Sequence, residues 1–207
     1  MRVWFMRHGE TEANKNGTWQ GQTDVPLSQR GIAQAVKLRD SLARVKFDKV
    51  YSSDLSRAKN TAELSIPGAE IEALRELREV DVGSLAGTSF LNMSETLLSS
   101  IKDGFALYGG EAYSDLKNRA ASFLNKLEKE NAENAAVFTH GGVIRILFSI
   151  ITGIPFPSGS MISDNCMIAI VEYAGGKWRL HSWINQLEDA SESDAKKPPR
   201  DDTGKGV

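Results

Sequence analysis

Short apolar runs alternate with longer amphipathic stretches along this chain. Val3-Trp4-Phe5-Met6 has the pattern of a buried strand and runs straight into Arg7-His8-Gly9-Glu10. After a polar, glycine-containing loop, Ser28 is placed to cap a helix whose apolar positions are Ile32, Ala35, Val36, Leu38 and Leu42. Val50-Tyr51 predicts a second strand ending in Ser52-Ser53-Asp54. Asp54 is then expected to cap a helix in which Leu55, Ala58, Ala62 and Leu64 share a face. Pro67-Gly68 closes that helix, and Glu70–Leu74 alternates as a strand does. Phe90, Met93, Leu97, Leu98 and Ile101 fit helical spacing, and Leu116, Ala120, Phe123, Leu124 and Leu127 form the cleanest amphipathic stripe. Ala135–Phe138 is another apolar strand, stopping at Thr139-His140-Gly141-Gly142, and Val143–Ile151 is apolar almost all round, as a helix buried on most sides would be. Met167–Tyr173 and Lys177–Ile184, on either side of Ala174-Gly175-Gly176, predict a terminal β-hairpin.

Strands alternating with helices predict an α/β fold: a three-layer sandwich with a mostly parallel central sheet flanked by helices. The pattern supports one domain over residues 1–187, with a cap segment near 84–113. A polar tail, 188–207, carries Pro198-Pro199 and scattered charges. No internal repeat is visible.

Composition narrows the class of function. The 207 residues are 41% hydrophobic and 25% charged, enough to build a core. Twenty-five Lys and Arg against 27 Asp and Glu leave a net charge of −2, without the basic excess of a nucleic-acid binder. The single cysteine, Cys166, has no partner for an internal disulfide and reads as packing, and no Cys/His cluster has metal-ligand spacing. The N-terminal apolar run is too short for a signal peptide or a membrane span. A cytoplasmic enzyme without metal or other cofactor is the expected class, with no nucleic-acid or membrane partner; oligomeric state is not readable from sequence.

In open α/β sheets, ligands bind beyond the carboxyl ends of the strands. His8 and His140 both fall there, each followed by glycine, and Arg7 and Arg57 are near strand ends as well. Arginines supply fixed donors for two-pronged phosphate contacts, so the set suits an anionic phosphoryl group. His181, alternating with Arg179 and Trp183 on the hairpin, reads as a rim or surface histidine.

Arg7-His8-Gly9-Glu10-Thr11 resembles the signature of the histidine phosphatase superfamily, also called the phosphoglycerate mutase-like family. The resemblance continues in order through Gln20-Gly21-Gln22-Thr23-Asp24, Pro26-Leu27-Ser28, Ser52-Ser53-Asp54-Leu55-Ser56-Arg57-Ala58 and Thr61-Ala62. Glu79 four residues before Gly83, then Gly109-Gly110-Glu111 and Thr139-His140-Gly141-Gly142-Val143-Ile144-Arg145, complete it. It spans roughly residues 1 to 185 and implies a covalent phosphohistidine mechanism. On that resemblance His8 is the nucleophile, and Arg7, Arg57 and His140 hold the transferring phosphoryl group. Asn14 contacts phosphate, Glu79 protonates the leaving oxygen, and the loop Gln20, Gly21, Gln22 and Thr23 borders the substrate.

The chemistry is coherent without the family. A neutral imidazole has one lone pair for attack at phosphorus, and its other nitrogen needs a partner to fix the tautomer. Two guanidiniums and a second imidazole can stabilise the equatorial oxygens, and a carboxyl can protonate the alkoxide that leaves. Glu76 is the alternative acid; spacing to Gly83 favours Glu79. Family members usually continue with an aromatic and an acidic or amide residue before the next glycine, whereas here Ser84-Leu85-Ala86-Gly87 carries neither.

Three activities fit the set. A phosphomonoester hydrolase would release phosphate from a small phosphorylated metabolite. A phosphoglycerate mutase-type phosphotransferase would hold a second anion in a cap rich in Arg or Lys. A non-catalytic phosphate-binding module would not need the full residue set. Between Ser84 and Tyr113 the only basic residue is Lys102, which favours the hydrolase.

Overall fold

A computed structural model describes residues 1–91, 93–155 and 163–185. The chain runs β1 (Arg2–Arg7), α1 (Glu12–Lys15), α2 (Gln29–Leu42), β2 (Lys49–Ser53), α3 (Ser56–Ser65), β3 (Ile71–Leu74), α4 (Glu95–Ser100), α5 (Tyr113–Leu127), β4 (Asn134–Thr139), α6 (Gly141–Thr152), β5 (Ile168–Ala174) and β6 (Lys177–Ile184). Three single turns of 3₁₀ helix lie at Arg75–Leu77, Gly83–Leu85 and Ala106–Tyr108.

The six strands form one sheet in the order β3-β2-β4-β1-β5-β6. β1, β2, β3 and β4 pair in parallel, and the hairpin β5–β6 joins β1 antiparallel. The predicted α/β architecture is present, its parallel part confined to four strands. Because β1, β4 and β2 run the same way side by side, His8, His140 and the Ser53–Arg57 turn emerge at one edge of the sheet.

The period-2 alternation of the strands divides the core. Val3, Phe5, Ala135 and Val137 face α5 and α6, where they join Leu116, Phe123, Leu127, Ile144 and Leu147. Met6, Ala136 and Phe138 face the other way, against Leu38, Leu42 and Ala62 of α2 and α3. Burying one such large aliphatic or aromatic side chain contributes roughly 1.5–3 kcal/mol before entropy is counted, so these two clusters hold the strand ends in place.

Ser28 caps α2 as predicted, its hydroxyl accepting from Gly31 N at 3.0 Å. The buried face of that helix is Gly31, Ala35, Leu38 and Leu42; Ile32 and Val36 are 37% and 43% exposed, a correction to the predicted stripe. The α3 cap also differs. Leu55 takes the cap position with no side-chain bond, Ser53 Oγ accepts from Leu55 N, and the Asp54 carboxylate pairs instead with Arg78. Competition from a fixed cation outweighs a single capping bond there.

Leu85, Met93, Leu97, Ile101, Phe105 and Tyr108 of the segment 84–113 pack on the α5/α6 side of the sheet. The helix of that segment is shorter than the apolar spacing predicts, and only Met93, Leu97 and Ile101 of that stripe pack inward. Phe90 precedes the helix and meets Trp19 edge to face at 5.4 Å. The predicted 188–207 tail lies outside the described residues. Among the described residues no helix is long and apolar enough to cross a membrane.

Candidate active site

His8 leaves the end of β1 with its imidazole buried, and its Nδ1 lies 2.7 Å from the carbonyl oxygen of Gly9. A carbonyl only accepts, so Nδ1 carries the proton and the lone pair is left on Nε2. Burial, then the neighbouring cations Arg57 and Arg7, hold His8 well below its ordinary pKa. The ring is therefore neutral at neutral pH, with its Nε2 lone pair not taken up by a proton. Gly9 N donates to Thr61 Oγ1 at 3.0 Å, fixing the turn that carries the ring.

His140 lies opposite, the ring centroids 5.1 Å apart and inclined at 60°. Its Nδ1 accepts from Arg57 Nε at 3.3 Å, which puts the imidazole proton on Nε2. That nitrogen is buried with no hydrogen-bond partner among the described residues, as is Arg7 Nε. Burial first, then Arg57, lowers the His140 pKa well below its usual value, so the ring is a neutral donor. Buried donors without partners cost free energy, and two at one strand edge mark a place where acceptors bind.

Arg57 is fully buried, in the first turn of α3. The carbonyls of Thr23 and Gly21 each accept from one of its terminal nitrogens at 2.8 Å, while Nε points at His140. Each terminal nitrogen keeps one further N–H for an anion. Desolvation lowers the guanidinium pKa to about 10, leaving it charged at neutral pH. Arg7 is likewise lowered by burial, and one of its terminal nitrogens donates to the carbonyl of Ser163.

Asn14 sits in α1, where its Oδ1 accepts from Thr11 N, Thr11 Oγ1 and Asn165 Nδ2 at 3.0–3.3 Å. The backbone donor identifies that atom as oxygen, so the amide nitrogen is the group left to meet a ligand. Asn165 also donates to His8 O at 3.0 Å. In the 20–23 loop, Gln20 Oε1 lies 3.0 Å from Thr11 Oγ1, whose single proton it shares with Asn14 Oδ1, and Gln22 Nε2 donates to Glu79 O at 3.3 Å. The loop thus reaches the site chiefly through backbone carbonyls on Arg57 and through Gln22.

Glu79 closes the arrangement. Its carboxylate accepts from Gly142 N at 3.1 Å and from Val80 N at 3.0 Å, so it rests on the N-terminus of α6. A Cβ on Gly142 would lie 2.3 Å from Glu79 Oε1; only glycine leaves that seat open. Glu79 is also near enough to both Arg7 and Arg57 to oppose the lowering of their pKa. Glu76 is exposed.

The structure therefore brings Arg7, His8, Arg57, Glu79 and His140 together, with Asn14 and the 20–23 loop at the margin. Cys166 is buried, and burial pushes its thiol up to about 12. His181 is on the exposed side of β6. Sequence reasoning assigned nothing to Thr61, Asn165 and Gly142, which orient the reactive groups. Thr61 was legible as the residue one helical turn after Arg57; Asn165 gave no local signal.

A phosphoglycerate mutase GpmB from Salmonella paratyphi A, named as probable, is 30% identical over 94% of this chain and 96% of its own length. The α-ribazole phosphatase of Shigella flexneri superposes with a TM-score of 0.80 at 27% identity, over 91% of this chain and all of that one (100%). The phosphoserine phosphatase of Entamoeba histolytica, solved with 3-phosphoglyceric acid, superposes with a TM-score of 0.78 at 26% identity, over 89% of this chain and 96% of that one. The family model of the histidine phosphatase superfamily (branch 1) matches residues 3–186. With two histidines and two arginines at one sheet edge and a match over nearly its whole length, the chain belongs to the histidine phosphatase superfamily.

Proposed function

We propose that this protein is a phosphomonoester hydrolase that works through a phosphohistidine at His8 and acts on a small phosphorylated metabolite. The observation that carries the reading is the paired tautomer. His8 presents an unprotonated Nε2, while His140 Nε2–H and Arg7 Nε–H are buried donors awaiting acceptors.

In the first step His8 Nε2 attacks phosphorus, the P–O ester bond breaks, and Glu79 delivers its proton to the departing oxygen. Arg7, Arg57 and His140 donate to the equatorial oxygens, and Asn14 adds its amide nitrogen. In the second step water attacks phosphorus while the Glu79 carboxylate takes its proton. The P–N bond breaks, inorganic phosphate leaves, and Nε2 regains its lone pair. Arginines supply the charge stabilisation that a metal supplies elsewhere, so no metal enters either step.

Hydrolysis rather than transfer is supported by the cap, which offers no inward basic side chain among the described residues and whose Phe90 and Phe105 meet Trp19 edge to face. Lys102, its one basic residue, is exposed. Similarity to an α-ribazole phosphatase and a phosphoserine phosphatase points the same way. The mutase-named relative supports the second reading, phosphoryl transfer between substrate oxygens.

Incubation with a panel of metabolite monoesters separates the two. Release of inorganic phosphate is expected, and migration of phosphate with little release would favour the mutase. Rapid quench with labelled substrate should trap an acid-labile, alkali-stable phosphoprotein that is absent in His8→Ala; near-normal turnover by His8→Ala would refute the mechanism.

A further inference from the structure

The segment that carries Glu79 belongs to no strand or helix; it crosses from the 3₁₀ turn at Arg75–Leu77 to the one at Gly83–Leu85. A proton donor needs its geometry held to a fraction of an ångström, since a displacement of about 1 Å can cost on the order of 10²-fold in rate. The expected support within residues 84–87 is missing from the sequence, and the structure supplies support from elsewhere.

Arg119, on the rigid helix α5, places its guanidinium against the backbone of this segment. One terminal nitrogen donates to Glu76 O at 2.7 Å and to Arg78 O at 2.5 Å. The other donates to Glu79 O at 3.1 Å and to Glu111 Oε2 at 2.8 Å, and Nε donates to Glu111 Oε1 at 2.7 Å. All five N–H donors of the group are used. Glu111 is strapped to the same segment: its Oε2 accepts from Asp81 N at 3.3 Å, and its N donates to Asp81 O at 2.8 Å. Backbones meet directly there, for a Cβ on Gly110 would lie 2.4 Å from Asp81 O. The ion pair is largely shielded, with side chains 17% and 13% exposed.

We infer that Arg119, fixed by Glu111, is the positioning residue that aims the Glu79 carboxyl at the leaving oxygen. It grips the acid's own carbonyl while Gly142 N grips the carboxylate, so the side chain is defined at both ends. The inference rests on the reading of Glu79 as proton donor. Lysine keeps the charge but has neither the planar fork nor five donors, so Arg119→Lys separates aim from electrostatics.

The test compares kcat/KM for phenyl phosphate and p-nitrophenyl phosphate, esters of similar shape whose leaving groups differ in need of a proton. Arg119→Lys should lose tenfold or more on phenyl phosphate, within the roughly 10²–10⁴-fold that a general acid supplies, and less than about threefold on the nitrophenyl ester. In a Glu79→Gln background the same substitution should add no selective loss. Glu111→Gln, which keeps the shape and removes the charge, should shift the ratio the same way and carries the test if Arg119→Lys fails to fold. Equal losses on both esters with unchanged melting, or additive losses in the double variant, overturn the positioning role while leaving the acid intact. If Glu79→Gln itself affects both esters alike, the acid reading fails and this inference with it.

Discussion

The two site histidines are read from their neighbours rather than from themselves. Gly9 O sets the tautomer of His8 and Arg57 sets that of His140, and burial among cations keeps both rings neutral. Glu79 and Glu76 show how position separates identical side chains. The Glu79 carboxylate sits on the α6 N-terminus near two arginines, whereas Glu76 is exposed and its backbone carbonyl accepts from Arg119. Glu79→Gln should therefore reduce turnover of alkyl phosphates by roughly 10²–10⁴-fold, and that of p-nitrophenyl phosphate much less, because a nitrophenolate leaves without a proton. Glu76→Gln should cost little on either ester. Steady-state kinetics on the two esters decide it, and a larger effect at Glu76 would reverse the assignment.

At the scale of elements, the site is a junction between the ends of parallel strands and the first turns of the helices that follow them. α3 delivers Arg57 with Thr61 one turn later, whose hydroxyl donates to Arg57 O at 2.6 Å while accepting from Gly9 N. α6 delivers the amide N–H of Gly142 to Glu79. Gly142→Ala isolates that second contact. Alanine is a better helix former than glycine, by about 1 kcal/mol in a helix interior and less in the first turn where Gly142 sits, so the fold should keep its melting temperature within a few degrees. The added Cβ occupies the carboxylate's seat, so turnover of phenyl phosphate should drop at least tenfold, within the range a general acid provides. Thermal denaturation alongside kcat/KM checks the pair of expectations; unchanged kinetics would mean Glu79 works from another seat.

At the scale of the whole molecule, the site's buried neutral histidines tie stability to pH. An unfolded histidine titrates near 6.5, and both His8 and His140 are held well below that in the fold. As pH falls below about 6.5 the unfolded chain binds protons that the native state refuses, by up to about 1.4 kcal/mol per pH unit for each group. Their contribution is complete above about 6.5 and is lost as pH falls through the folded values. Melting temperature should fall between pH 7.5 and 5, and His140→Gln should have a shallower acid decline than wild type. A variant with an unchanged slope would show that His140 is not excluding its proton. The arginine-built anion site predicts further that thorough chelation leaves phosphate release intact. Loss of activity on metal removal, restored by a divalent ion, would contradict it.

Much of this protein is legible in its residues one after another. Binary periods locate the strands and the α5 stripe, because burial on a sheet face or a helix face imposes period 2 or 3.6 wherever the core is thick. Strand ends followed by His-Gly mark where chemistry sits, because parallel strands must deliver their C-termini to one edge. Periodicity did less well where a helix packs on another helix or where a cation intervenes. Ile32 and Val36 face outward, and Asp54 turns from its cap to Arg78. Three-dimensional packing alone decided how the acid is held. Arg119 is about forty positions from Glu79 in the chain, and its five donors are matched to carbonyls and a carboxylate with no common sequence pattern. Tautomers too are tertiary facts, since a histidine's proton goes wherever folding places the acceptor.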